Sequence, residues 1–198
     1  MAIFTKGARA LLLPFSAMIY GCQALTGISH EYPPHWPKIY EVSENECVDL
    51  SGSYGDFGMS GNHSTIGKEN RLSFYFYKGV RKKNGDPVVQ LTADEVEIVS
   101  SSETISVQVK RQEILVDEIK FEKGKGDFLC NGNGVTLDVT TTSQSGTYGG
   151  GVGSIRLRLS KAKDRSLVGE TIFGGVGVGL WVVPVAGYQK LWYRWKEQ

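Results

Sequence analysis

Residues 155–159 read Ile155-Arg156-Leu157-Arg158-Leu159, apolar and charged residues in strict alternation. Successive side chains of an extended strand point to opposite faces, so this stretch has one dry side and one wet side. The same period recurs upstream, where Ile105, Val107 and Val109 alternate with Ser106, Gln108 and Lys110. Working outward, further strands are expected at Leu72 to Lys78, Val88 to Leu91, Glu95 to Val99, Ile114 to Phe121, Phe128 to Cys130 and Val135 to Val139. Leu167 to Phe173, Val176 to Val183 and Leu191 to Trp195 complete the set. Turn residues separate them, among them Asn84-Gly85, Lys123 to Asp127 and Asn131 to Gly134. Thr142 to Gly153 reads as a mobile loop. About ten short strands at this spacing predict an all-β domain, a single antiparallel barrel or sandwich. Both architectures produce the same alternation, so the pattern leaves the choice open.

The composition of the 198 residues bounds the partners. Lys plus Arg is 22 against 21 Asp plus Glu, a net charge of +1. Such a balance supplies no field to hold a nucleic acid. A hydrophobic content of 40% argues against wholesale disorder. Residues 46–198 suit one domain.

The N-terminus has a different character. Lys6 and Arg9 precede an apolar run from Ala10 to Tyr20, and no acid occurs before Cys22. A basic start, a short apolar core and small residues ahead of a cleavage point make an export signal. An uncleaved anchor helix over Ala10 to Ser29 is the competing reading, weakened by Pro14, Gly21 and Gly27. Residues 22–45 read as a tether, stiffened by Tyr32-Pro-Pro-His-Trp-Pro37, that stands the domain off a surface. Cys47 and Cys130 remain as an even pair if Cys22 is modified, and in an oxidising compartment a disulfide between them is expected.

Ile19-Tyr20-Gly21-Cys22 resembles the lipobox of bacterial lipoprotein precursors. The resemblance implies a signal peptide at 1–21, removed on export, and a diacylated Cys22 as the mature first residue, usually N-acylated as well. Gln23 stands where an Asp would signal inner-membrane retention, which implies the periplasmic face of the outer membrane. Cys47-Val-Asp-Leu-Ser-Gly-Ser-Tyr54 resembles the opening of small bacterial lipoproteins that carry a periplasmic β-domain. Phe128-Leu-Cys130-Asn-Gly132 resembles the aromatic-x-Cys-x-Gly strand of periplasmic lysozyme inhibitors, which are lipid-anchored barrels.

Residues for catalysis are sparse. The three histidines are His30, His35 and His63, two of them in the expected tether, and no G-x-S-x-G surrounds a serine. His30 and His35 lack a third metal ligand nearby, so neither a metal nor any other cofactor is expected. The glycine runs Gly149 to Gly153 and Gly174 to Gly179 fit no phosphate-binding pattern. The remaining enzymatic route is a pair of acids brought together by the fold, drawn from Asp94, Glu95 and Asp117.

Two stretches stand out as contact surfaces. Ile172 to Gly187 holds sixteen residues without charge, read either as buried strands or as the lining of a cavity for a hydrophobic ligand. Phe173, Val176, Val178, Leu180 and Trp181 are the candidates for that lining. In Lys190 to Lys196, Trp192 and Arg194 share the polar side, a pairing suited to a protein partner or to a cation–π contact within one sheet. Arg81-Lys82-Lys83 reads as a solvated tip or a headgroup contact. The expected function is a non-enzymatic binding or assembly module of the cell envelope. A carrier of a hydrophobic ligand such as a lipid is the first alternative, and a lysozyme-inhibitor-like protein the second.

Overall fold

The computed structural model describes residues 25–44, 46–61, 70–80, 93–146, 149–179 and 183–198. The expected signal sequence, Cys22, His63, the Arg81–Lys83 tip with its Asn84-Gly85 turn, the strand expected at Val88–Leu91, and Leu180 and Trp181 lie outside them.

The domain is all-β with one short helix. The strands are β1 (Leu25–Ser29), β2 (Gly52–Gly55), β3 (Met59–Ser60), β4 (Glu95–Ser100), β5 (Thr104–Arg111), β6 (Ile114–Glu122), β7 (Phe128–Asn131), β8 (Gly134–Gly146), β9 (Gly149–Lys161), β10 (Leu167–Gly179) and β11 (Val183–Trp195). One sheet runs β2-β4-β5-β6 and the other β1-β11-β10-β9-β8-β7, with β3 also on β11. All pairings are antiparallel except β1 on β11. Neither sheet closes on itself among the described residues, so of the two expected architectures the sandwich is the one found.

The alternation places the core as expected. Val96, Ile98, Ile105, Val107, Ile119 and Phe121 from the smaller sheet meet Leu157, Leu159, Leu167, Leu191, Tyr193 and Trp195 from the larger one. Each fully buried side chain of this size contributes roughly 1.5–3 kcal/mol relative to exposure. Gly169 lets the Trp195 ring lie flat across β10, because a Cβ there would stand 2.7 Å from a ring carbon. The Cys47–Cys130 disulfide is formed, with Cα atoms 5.0 Å apart, and fastens the entering chain to β7.

Three expectations are corrected. Leu72 to Lys78 is not a strand but the start of the helix α1 (Leu72–Val80). Leu72, Tyr75 and Phe76 are its buried apolar residues, the i, i+3, i+4 spacing of a helix face. Its N-terminus is capped from far upstream. The Asp56 backbone oxygen accepts from Leu72 N at 2.8 Å, and its carboxylate from Ser73 N at 2.8 Å. Thr142 to Gly153 is not a loop but the ends of β8 and β9, paired as far as Gly146↔Gly149. Its polar, Gly-rich composition lacks the alternation of a core strand, and among the described residues this part of the sheet overlies no second sheet.

The third correction concerns the tether. Residues 30–40 pack along the outer face of the larger sheet rather than standing free, and Val42 then packs against the main core. Ile39 bridges Ala162, Tyr40 N donates to Lys161 O at 2.8 Å, and Trp36 is buried. Further upstream, β1 continues the sheet along β11.

Candidate functional site

The long hairpins β8–β9 and β10–β11 have 13 residues in each strand, but only their proximal halves cover the core. The last buried positions on the way to the tips are Leu157, Thr171 and Leu191. One rung further, Asp138 pairs in register with Arg156, Arg156 with Ile172, Ile172 with Lys190, and Lys190 with Ser29. Glu170 sits two residues before this rung and binds the Lys190 ammonium, with Arg158 at 4.0 Å. Beyond the rung all charge stops. Residues 139–155, 171–189 and 25–29 contain no Asp, Glu, Lys, Arg or His.

The boundary is straight across five strands that come from three distant parts of the chain. Past it the two faces of the sheet differ. Val176 pairs in register with Val152 and Ala186, and Gly174 with Ser154 and Tyr188. Val152, Val176, Val178 and Tyr188 on this side are exposed, Val176 at 66%. An isolated exposed valine is ordinary, whereas several in register on a charge-free surface form a patch. The opposite side presents Gly151 against Gly177 and Gly153 against Gly175 and Gly187.

These glycines are a geometric requirement. A Cβ on Gly177 would stand 2.7 Å from the Gly150 carbonyl oxygen, and one on Gly151 2.9 Å from that of Val176. The strands are coiled so closely here that backbone replaces side chains on that face. Both lateral edges of this half-sheet are open among the described strands. β7 covers β8 only as far as Leu137, and β1 has β11 on one side alone.

The expected ligand-lining residues therefore divide. Phe173 packs against the edge of the core, while Val176 and Val178 face outward on an open sheet and line no enclosed space. Of the expected lining residues that are described, one packs on the core edge and two face solvent. The solvent-facing patch went unread because it is assembled by register, which single-strand periodicity does not reveal.

Trp192 and Arg194 also lie elsewhere than expected. Trp192 is buried under the docked N-terminal segment, with Tyr32 edge-on at 5.2 Å and Trp36, Ala162 and Val168 around it. Its Nε1 donates to His30 O at 2.9 Å. The cation over its ring is Lys190, at 5.0 Å, not Arg194. Arg194 pairs with Asp164, and its Nε donates to Ser166 Oγ at 2.9 Å. The partner of Trp192 is the chain's own segment from His30 to Ile39.

Two other polar places are accounted for by structure. Lys161 donates to Ser51 O at 2.9 Å and to the Tyr54 hydroxyl at 2.5 Å, and its ammonium lies 3.5 Å from Glu197. Burial lowers the Lys161 pKa and raises that of Tyr54, with Glu197 pulling Lys161 back up. The cluster ties β9 to the C-terminus and the β2 entry. An open groove of about 720 Å³ is lined by Tyr32, Ile39, Tyr40, Asn133, Lys38, Lys163 and Glu41. The Phe128-Leu-Cys130 motif falls on the edge strand β7, disulfide-bonded to a cysteine upstream.

No protein-family model, no curated protein and no solved structure matches the chain.

Proposed function

We propose that this chain is a lipid-anchored protein of the bacterial cell envelope, non-enzymatic, that acts as a binding or assembly module at the membrane through the charge-free end of its larger sheet. The observation that carries this reading is the register of β1. Leu25 lies beside Ala186, and Cys22 is three residues before it, within about 11 Å along the chain. Acyl chains on Cys22 would emerge at the end of the sheet from which charge is missing. The anchor and the apolar face thus address the same surface. This arrangement favours an exposed contact element over the carrier of a hydrophobic ligand, since Val176 and Val178 line no enclosed cavity.

The anchor is tested by intact mass and floatation of the full chain expressed in a bacterial host. Mature protein that begins at Cys22, carries the mass of acyl chains and floats with the outer-membrane fraction is the expected result. A Cys22→Ser variant loses the acyl mass and is recovered in the soluble fraction, because it is not delivered to the membrane. Mature protein starting elsewhere, without acyl mass, would overturn the reading.

A further inference from the structure

We propose that the distal halves of β8, β9, β10 and β11, with β1, form part of the wall of a membrane-embedded β-barrel that is completed by further copies of this chain. The proposal rests on the lipid-anchored reading above for delivery of the chain to the membrane, and it names what the exposed face meets there.

Length comes first. From Ile172 to Gly179 is seven steps along β10, about 23 Å at strand rise, before any tilt. The apolar band of outer-membrane barrels is about 25 Å tall. Charge placement comes next. An aqueous sheet has no reason to end its charges on one rung across five strands, because water tolerates a lysine at any exposed position. A bilayer interface imposes that boundary, since a charge in the hydrocarbon costs several kcal/mol at its midplane. Here Arg156, Lys190 and Glu170 stand at or just behind the line. Tyr188 lies two residues past Lys190, where an aromatic ring with a polar tip suits the interface.

The open edges then decide the form. Hydrocarbon offers no partner to unpaired N–H and C=O groups, so an open sheet does not enter it and only a closed one does. One chain supplies five strands that, among the described residues, leave an edge open on β8 beyond Leu137 and another on β1. β8 runs toward the tips and β1 away from them, so β1 of one copy meets β8 of the next as an antiparallel pair. Such head-to-tail contacts close into a ring. Val152, Val176 and Val178 face acyl chains, and the glycine face turns to the lumen.

The test uses the full lipidated chain with Val176→Cys. Of the native cysteines Cys47 and Cys130 are disulfide-bonded, and Cys22 carries lipid on the present reading. An environment-sensitive fluorophore on the introduced thiol is followed in vesicles of phosphatidylethanolamine and phosphatidylglycerol, with the particle mass measured after mild detergent extraction. Expected are a blue-shifted emission, loss of iodide quenching, quenching by spin-labelled lipid tails, and a ring of several copies. The same label introduced through Val152→Cys guards against a local folding defect at position 176. A label that remains open to iodide on vesicle-bound, acylated protein overturns the proposal and leaves the anchor standing. A dry label on monomeric particles overturns it too, because the edges would then be unpaired. A dry label in multimers that lack acyl mass upholds the barrel and refutes the anchor.

Discussion

Asp56 is fully buried, and its carboxylate holds both Ser73 N and Arg71, the latter at 3.1 Å. Burial raises its pKa despite those partners, of which the Ser73 amide pulls down most. A carboxyl whose folded pKa lies above its unfolded value stabilises the fold fully below the ordinary value of 3.8 and loses that contribution as pH rises through the folded value. Wild type should therefore gain stability relative to Asp56→Asn as pH falls toward 3.8, read from denaturant midpoints of the two proteins across acid pH. At neutral pH Asp56→Ala should cost about 2–3 kcal/mol, since it leaves a buried amide and a guanidinium unpartnered. Asp56→Asn keeps an acceptor and should cost less. A second residue-scale expectation concerns the β5–β6 turn, where Gln112 and Glu113 both have positive φ, 49° and 65°. Two positive φ values in a two-residue hairpin turn suit Asn-Gly. Glu113→Gly should raise stability by about 1 kcal/mol in the same assay, because glycine adopts this conformation without Cβ strain.

Among the elements, α1 and the hairpin tips carry the lesson about what a sequence displays. Phe74-Tyr75-Phe76-Tyr77 is apolar at every position, so it fits period 2 and period 3.6 alike, and aromatic residues favour strands. What decides for a helix is the cap from Asp56, 16 residues before Leu72 in the bend between β2 and β3. By contrast, β4, β5, β6 and the proximal half of β9 were legible because each has one wet and one dry side. The disulfide followed from cysteine count and compartment. The distal ends of β8 and β9 were not legible as strands, because glycine and small polar residues replace the alternation there, whereas the distal part of β10 was expected to be extended from Val176 onward. Their integrity depends instead on close backbone approach. Gly177→Ala should break it, since the new methyl group meets the Gly150 carbonyl oxygen at 2.7 Å. Overpacking of this kind costs roughly 1–3 kcal/mol. Amide exchange should speed up across residues 149–153 while the proximal core keeps its protection. Unchanged exchange there would mean that the strands are less tightly coiled than described.

At the scale of the whole molecule, the N-terminal segment changes the picture most. A free tether would leave the orientation of the domain undefined. A docked one, with Trp36 packed beside Trp192 and β1 running along β11, fixes which end of the sandwich lies nearest Cys22. The smaller sheet, α1 and the Lys161 cluster lie on the far side of the charge rung, and the Gly- and Val-bearing half-sheet lies on the near side. Sequence alone displays two features separately, an N-terminus that resembles an export signal and an apolar stretch at 172–187. Only strand register places Leu25, three residues after Cys22, beside that stretch. On the proposed reading, the rung at Arg156 and Lys190 marks a membrane interface. The most direct measurement compares Arg156→Cys with Val176→Cys in the full lipidated chain, using a membrane-impermeant maleimide on outer-membrane vesicles opened to expose both faces. Rapid labelling at position 156 and protection at position 176 are expected, with equal labelling of both in Cys22→Ser protein that has not been delivered to the membrane. Equal labelling of the two positions in the membrane-bound protein would contradict this reading.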